Sequence, residues 1–149
     1  MRGESRALKY PNQITAHFKL SEVACHDGTP YPEEWIESRL VRLLEAAEWI
    51  RSRCGFPLVI SSGYRTPSYN RKIGGARFSQ HVQGLALDLH PKGSLKTLQE
   101  AVKDCQRIEG LISGIGFYAD FVHIDRRPGR PATWNGSRTN TQNTVSSAE

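Results

Sequence analysis

Residues 79–91 of the chain read SQHVQGLALDLHP, a polar loop followed by an alternating apolar run. Side chains alternate along a strand, so the three leucines of this run would share one face and Asp88 would lie on the other. A carboxylate is costly to bury in such a strand unless it is paired or bound to a metal. His81 lies seven residues before Asp88, in the loop that leads into the strand. The segment therefore predicts a strand and a loop that each carry one candidate metal ligand.

A second segment with the same pattern is FVHID, residues 121–125. Its two aliphatic residues would lie on one face of a strand, whereas His123 and Asp125 share the other. Together with His81 and Asp88, His123 gives two imidazoles and one carboxylate. This ligand set is typical of catalytic zinc and leaves a fourth coordination position open. The sequence therefore predicts a site for one Zn²⁺ ion.

Two further residues near these segments suit a hydrolytic site. Asp120 lies three residues before His123 and is the candidate general base. In an ideal strand the two side chains would face opposite ways, so this role requires a turn or bulge near Ala119. Arg65 is always charged and rich in donors, so it suits either the oxyanion of a reacting amide or a substrate carboxylate. Both roles for Arg65 stay open at this point.

The remaining helices and strands are predicted from hydrophobic periodicity. The clearest is an amphipathic helix from Glu33 to Cys54, in which apolar residues recur at helical spacing. The other predicted elements are a strand at 57–61, a short helix at 66–72, a helix at 94–108 and a strand at 115–118. Helices and short strands in this mixed order favour an α+β fold with a small, mostly antiparallel sheet and flanking helices.

Length and composition indicate one domain. At 149 residues the chain is large enough for a single core, and we predict that residues 1–130 form it. Residues 131–149 are rich in Pro, Gly, Ser, Thr and Asn and are predicted to be a flexible C-terminal tail. No run approaches the ~20 apolar residues of a membrane-spanning helix, and the polar N-terminus lacks a secretory signal. These features predict a protein that is made in the cytoplasm and does not insert into a membrane, and we expect it to be a monomer.

The charge and the cysteines restrict the possible partners and the metal chemistry. A net charge of +5 favours anionic partners, either nucleic acid or the polymers of a cell envelope. No nucleic-acid recognition motif is present, so nucleic acid is the weaker alternative. Part of the positive charge lies near the C-terminus and could be a solvated surface, formed by Arg126, Arg127, Arg130 and Arg138. The three cysteines include no C-x-x-C pair, which argues against a thiolate zinc site.

Four segments of the chain resemble motifs of the zinc D-alanyl-D-alanine carboxypeptidase family. SQHVQGLALD at 79–88 resembles the family signature S-x-H-x-x-G-x-A-x-D. FVHID at 121–125 resembles its second motif, an apolar residue followed by His, any residue and Asp. SGYRTPSYN at 62–70 is similar to the segment S-G-Y-R-[ST]-x-x-x-N, and FKLSEVAC at 18–25 is similar to the start of a common branch. The matches occur in the expected order, and their joint occurrence is highly specific.

The resemblance implies a hedgehog/DD-peptidase fold and peptidoglycan stem peptides as substrates. It assigns zinc ligation to His81, Asp88 and His123, and it assigns the general base to Asp120. It gives Arg65 a role in binding the substrate or in stabilising the transition state. Residues that orient the ligands or contact the substrate are expected at four further positions, Ser79, Asp125, Tyr118 and Asn70.

Several functional interpretations stay open within this resemblance. The position two after His123 is Asp125 and not the second histidine of lysostaphin-like relatives, which favours the carboxypeptidase branch. A D,D-carboxypeptidase and an L,D-type endopeptidase both suit the chemistry. The small form without an export signal resembles phage endolysins, which reach the cell wall by a holin or in a virion. A non-catalytic, zinc-stabilised binding module is the alternative from a different class, and the presence of Asp120 favours an enzyme.

Overall fold

The computed structural model describes residues 10–136. Its first long element is a continuous helical run over the region where the periodicity predicts a helix. The run opens with a 3-10 turn at Glu33–Trp35, continues as a π-helix at Ile36–Leu40 and becomes the α-helix α1 at Val41–Cys54. The amphipathic pattern thus gives the correct extent, while only the second part of the run has regular α-helical geometry.

Two shorter α-helices begin at capped positions. α2 spans Pro67–Lys72, and α3 spans Leu95–Asp104 before continuing as a π-helix at Cys105–Glu109. The hydroxyls of Thr66 and Ser94 cap these two helices, because each accepts a hydrogen bond from a backbone N–H in the first turn. The caps lie where the sequence places the helix starts.

Within residues 10–136, five strands form one mixed sheet in the order β1-β2-β4-β3-β5. The first four strands pair antiparallel, and β3 and β5 pair parallel. The strands are β1 at Leu58–Ser62, β2 at Ala86–Pro91, β3 at Gly114–Phe117, β4 at Val122–Asp125 and β5 at Ala132–Asn135. The predicted α+β fold with a small, mostly antiparallel sheet and flanking helices is confirmed.

The hydrophobic core lies between the sheet and the helices. α3 contacts β2, β3 and β4, and α1 packs against α3. Leu87 and Leu89 of β2 and Ile124 of β4 are fully buried in this core. Because side chains alternate along a strand, the residues between them are directed to the opposite face of the sheet. That face carries the polar groups Asp88 and His123.

The fifth strand lies in the segment that the sequence predicts to be a flexible tail. β5 begins at Ala132 and pairs with β3 from Gly114↔Ala132 to Phe117↔Asn135. The folded part therefore extends beyond the predicted boundary at residue 130, and the tail prediction is wrong for residues 132–135. The strand is short and partly exposed, so it lacks the apolar alternation that marks the inner strands. The predicted tail residues 137–149 lie outside the described residues.

The structure also bears on the cysteines and on membrane insertion. Cys25, Cys54 and Cys105 are free thiols, and Cys25 and Cys105 are buried. Over residues 10–136, no helix combines the length and the apolar character that crossing a membrane requires.

Candidate metal centre

The sheet register brings the two predicted ligand strands side by side. Asp88 of β2 lies opposite His123 of β4. On the other side of β4, His123 lies opposite Gly116, and Gly116 is in register with Trp134 of β5. These four residues form a row across the sheet on the face opposite the aliphatic core. Two ligand candidates that are 35 residues apart in the sequence thus become direct neighbours.

His81 reaches the same point from the loop before β2. Its Nε2 lies 3.3 Å from Oδ1 of Asp88, and Nδ1 of His123 lies 3.2 Å from the same oxygen. Both imidazoles are fully buried and Asp88 is 4% exposed. The two rings lie 5.1 Å apart between centroids. One carboxylate oxygen is therefore shared by two imidazole nitrogens inside the protein.

Each imidazole has one nitrogen that faces Asp88 and one that contacts another protein oxygen. The second contact fixes the position of the hydrogen in the neutral ring. Nδ1 of His81 lies 2.7 Å from the carbonyl oxygen of Gly63, which only accepts, so Nδ1 carries the hydrogen. Nε2 of His123 lies 2.7 Å from the carboxylate of Asp125, so here Nε2 carries it. When the imidazoles are neutral, the two nitrogens that face Asp88 both present lone pairs. Such a set of acceptors needs a cation among them.

The pKa shifts of the three groups agree with this description. Burial and the neighbouring guanidinium of Arg65 lower the pKa of His81, which favours its neutral form. Burial lowers the pKa of His123, but hydrogen bonds to Asp125 and Asp88 outweigh it and raise the pKa to about 9. Burial raises the pKa of Asp88, and the two imidazoles more than offset this and hold it well below its usual range. Without a metal, a proton on His123 supplies the positive charge.

The geometry fits a single metal ion. One ligand atom from each of His81, Asp88 and His123 lies within 4.8 Å of the others. Zinc bonds to nitrogen and oxygen are about 2.0–2.2 Å long, so two atoms that bind the same ion lie less than 4.8 Å from each other. Each imidazole also donates its other N–H to a protein oxygen, as metal-bound histidines almost always do. These three residues could therefore hold zinc.

The loop that carries His81 is held by a glycine and a serine. Gly84 has a φ of +69°, and a Cβ there would lie 2.8 Å from the ring of Trp35 and from the hydroxyl of Tyr31. That hydroxyl donates a 2.7 Å hydrogen bond to the carbonyl of Gly84. Ser79 is buried, and its Oγ accepts a hydrogen bond from the backbone N–H of His81. Ser79 thus supports the backbone of the loop and not the imidazole ring.

Arg65 lies beside the buried carboxylate. Its Nη2 is 3.8 Å from Oδ2 of Asp88, and the residue is 4% exposed. Nη1 donates to Oδ1 of Asn70 at 3.1 Å, and the amide nitrogen of Asn70 donates to the carbonyl of Ala76. The backbone N–H of Arg65 also donates to the carbonyl of His81. The predicted residues Arg65 and Asn70 therefore belong to the same buried cluster as the three candidate ligands.

Asp125 links the centre to an arginine. The guanidinium of Arg127 donates to both carboxylate oxygens of Asp125, with Nε 2.9 Å from Oδ1 and Nη2 2.7 Å from Oδ2. Burial raises the pKa of Asp125, but hydrogen bonds from His123 and Arg127 outweigh it and hold that pKa well below its usual range. Arg127 is partly buried in this ion pair, so its interpretation as solvated surface charge is wrong. Arg126 is also engaged, because it donates to the carbonyl of Leu111.

Asp120 lies in the turn between β3 and β4, three residues before His123. The backbone N–H of Tyr118 donates to the carbonyl of Phe121, which closes this hairpin. The turn that the general-base role requires near Ala119 is therefore present. Both Ala119 and Asp120 are exposed, unlike the buried ligand candidates.

Tyr118 is buried and is joined to a residue that the sequence analysis missed. Its ring stacks on Phe121 with 4.5 Å between centroids, and its hydroxyl accepts a hydrogen bond from Nε1 of Trp134 at 3.1 Å. The indole of Trp134 lies 5.2 Å from the imidazole of His123. The adjacent Thr133 and Trp134 favour a strand, and this was the one local signal in the predicted tail.

A small α+β domain here gathers two histidines and an aspartate beside the inner strands of its sheet, a ligand set of the kind that zinc metallopeptidases use. The family model described as Peptidase M15 matches residues 14–125, and the chain belongs to this family. Its members are zinc-dependent peptidases of the D-Ala-D-Ala carboxypeptidase type, so the resemblance found in the four motifs is confirmed. None of the individually curated proteins matches the chain.

Proposed function

We propose that this protein is a zinc-dependent peptidase that hydrolyses amide bonds in peptidoglycan stem peptides. His81, Asp88 and His123 would hold one zinc ion. The observation that carries the proposal is the shared oxygen of Asp88, which lies 3.3 Å from Nε2 of His81 and 3.2 Å from Nδ1 of His123. Membership of the M15 family supports the peptidase class and a peptide substrate.

The reaction is an addition of water to the scissile carbonyl followed by loss of the amine. When bound, zinc supplies a Lewis acid that polarises the carbonyl and lowers the pKa of water. Asp120 accepts a proton from the attacking water as the new C–O bond forms, and it returns the proton to the leaving nitrogen as the C–N bond breaks. Its exposed place on the turn before β4 gives solvent and substrate access to the carboxylate.

Arg65 supplies positive charge beside the candidate ligands. Its buried guanidinium is held by Asn70 and lies near Asp88, so its position is fixed before substrate binds. It either stabilises the oxyanion of the transition state or anchors the terminal carboxylate of the peptide. The first role serves an endopeptidase and a carboxypeptidase equally, whereas the second is specific to a carboxypeptidase.

The proposal includes a cell-wall role as a phage or prophage lysin, acting as a monomer. A D,D-carboxypeptidase and an L,D-type endopeptidase are its two forms. A second candidate function is a non-catalytic, zinc-stabilised binding module. The observation that favours this candidate is the burial of all three ligand candidates and of Arg65, which leaves little of the centre exposed to a substrate.

One experiment separates these functions. The purified protein is incubated with defined peptidoglycan fragments, with zinc and with a chelator, and the products are identified by mass spectrometry. Asp120→Asn tests the general base, and Glu100→Gln, an exposed carboxylate on α3, is the matched control. We expect cleavage that needs zinc, survives in the control and falls about 10²- to 10⁴-fold in Asp120→Asn.

The product masses identify the bond and so distinguish the two peptidase forms. Turbidity of cell-wall suspensions then tests the lysin role. One equivalent of bound zinc without cleavage of any wall type would reject the peptidase and support the binding module.

A further inference from the structure

The last described strand places an aromatic residue beside the candidate metal centre. β5 lies outside the segment that matches the family, residues 14–125. Trp134 is in register with Gly116, the neighbour of His123 on β3. A Cβ on Gly116 would lie 2.7 Å from the indole of Trp134. The missing side chain at Gly116 therefore lets the indole cross β3 and reach His123.

Trp134 closes a ring of contacts that begins and ends at His123. Its indole lies 5.2 Å from the imidazole of His123, with 50° between the ring planes. The guanidinium of Arg127 lies 4.9 Å from the centroid of the same indole. Arg127 donates to Asp125, and the carboxylate of Asp125 lies 2.7 Å from Nε2 of His123. Each of these four residues limits the movement of the next one in this cycle of contacts.

We propose that Trp134 is a positioning residue for the metal ligand His123. The inference rests on the zinc site of the proposed function and not on the proposed reaction. Asp88, with Oδ1 3.2 Å from Nδ1, and Asp125, with Oδ2 2.7 Å from Nε2, flank the imidazole at both nitrogens and limit its rotation within its own plane. The rings of His81 and Trp134 limit its tilt out of that plane. Trp134 thereby holds the lone pair of Nδ1 on the point shared with Asp88 and His81.

The same indole acts on the centre in two further ways. It covers the guanidinium of Arg127 and so stabilises the ion pair that holds Asp125. Its Nε1–H donates to Tyr118, which ties β5 to the hairpin that carries Asp120. Groups that hydrogen-bond to a metal ligand change metal affinity about 10- to 100-fold when they are removed, and Trp134 supports such a group, Asp125, through Arg127.

The test measures zinc affinity by competition with a chromophoric chelator, using the full chain. We expect Trp134→Ala to raise the dissociation constant for zinc by about 10-fold or more. Trp134→Phe, which keeps an aromatic ring, should restore affinity to within about 3-fold of the wild type. Trp49→Ala removes a partly buried tryptophan from α1 and is the matched control, with unchanged affinity expected. The absorption spectrum of the Co²⁺ form reports the ligand geometry independently.

Two more variants keep the inference testable if Trp134→Ala does not fold. Gly116→Ala pushes the indole away by the new Cβ and should also weaken zinc binding. Tyr118→Phe removes the hydroxyl that accepts the indole N–H and should weaken zinc binding less than Gly116→Ala does.

The outcomes distinguish positioning from a purely structural role. If the variants lower the melting temperature of the chelated protein and leave zinc affinity and the Co²⁺ spectrum unchanged, the inference is overturned. A wild-type protein that binds zinc but cuts no peptide would reject the proposed reaction, while loss of affinity in Trp134→Ala would still support the positioning role.

Discussion

The carboxylate of Asp125 lies 2.7 Å from Nε2 of His123, two residues earlier on the same strand, and both side chains are fully buried. Residues two apart on a strand share a face, so this contact follows from the alternation of β4 itself. The contact fixes the N–H on Nε2 and leaves Nδ1 for a metal. One strand thus supplies both a candidate ligand and the group that selects its tautomer.

Replacement of Asp125 should therefore weaken metal binding. Asp125→Ala removes the acceptor for Nε2 and leaves Arg127 without its carboxylate, so we expect zinc affinity to fall by about 10- to 100-fold. Asp125→Asn keeps an acceptor oxygen and loses the charge, so its loss should be smaller. Chelator competition measures both values. Equal, wild-type affinity in the two variants would contradict the role given to Asp125.

Arg65→Lys should separate the two roles proposed for the arginine. Lysine keeps the charge but loses the planar donor group that contacts Asn70. If Arg65 stabilises the oxyanion, we expect kcat to fall about 10²- to 10³-fold on peptides with a free or an amidated C-terminus alike. If it anchors a terminal carboxylate, only the peptide with the free C-terminus loses kcat/KM. An unaltered rate on both peptides would exclude both roles.

Zinc should stabilise the folded protein. Three buried groups share one point and present two lone pairs and a carboxylate to it, so a cation that binds there favours the folded state. At a zinc concentration 100 times the dissociation constant, we expect about 2.7 kcal/mol of stabilisation, or a rise in Tm of roughly 5–10 °C. Calorimetry with zinc and with a chelator measures this difference. Asp88→Asn is the control, because it removes the shared carboxylate and should abolish most of the rise.

The stability of the chain in acid should depend on Glu48. Burial raises the pKa of this carboxyl, but hydrogen bonds from His17 and Thr15 outweigh it and lower the pKa below its usual value. A carboxyl with a lowered folded-state pKa stabilises the protein above its unfolded-state pKa, and this contribution is lost as the pH falls through the folded-state value. The stabilisation by Glu48 is therefore present at pH 7 and declines below about pH 4.5, the ordinary pKa of a Glu carboxyl.

Urea unfolding from pH 7 to pH 3 measures this effect. We expect the free energy of unfolding of Glu48→Gln to lie below that of the wild type at pH 7 and to converge with it as the pH falls. Glu45→Gln, an exposed carboxylate on the same helix, controls for the loss of one charge. A gap between Glu48→Gln and the wild type that stays constant with pH would contradict the prediction.

The inner part of the fold could be predicted because its signals are local. The leucines of β2 and the aliphatic residues of β4 alternate with polar residues, and that alternation alone indicates which side chains leave the core. The same pattern identified Asp88 and His123 as residues that need a partner. The helical run from Glu33 onwards is likewise visible in its spacing, although its π-helical part is not.

β5 and Trp134 could not be predicted in this way, because their structure depends on distant residues. The strand is partly exposed, so it lacks a clear apolar pattern. Its pairing with β3 is not indicated by any local feature of either segment. The site of Trp134 is created by the absent side chain of Gly116. Arg127 was misinterpreted for a different reason: its partner Asp125 is only two residues away, but the sequence does not show that this carboxylate is buried beside His123 and so holds the guanidinium.

The parallel pairing of β5 has a consequence for engineering. β5 lies at the edge of the sheet and is the last of the described elements. Its sequence can therefore be changed without altering the order or the pairing of the inner strands. Variation of four residues, Ala132–Asn135, would therefore change the surroundings of His123 while leaving β2 and β4 intact. Libraries confined to this edge would vary the surroundings of the candidate centre independently of its candidate ligands His81, Asp88 and His123.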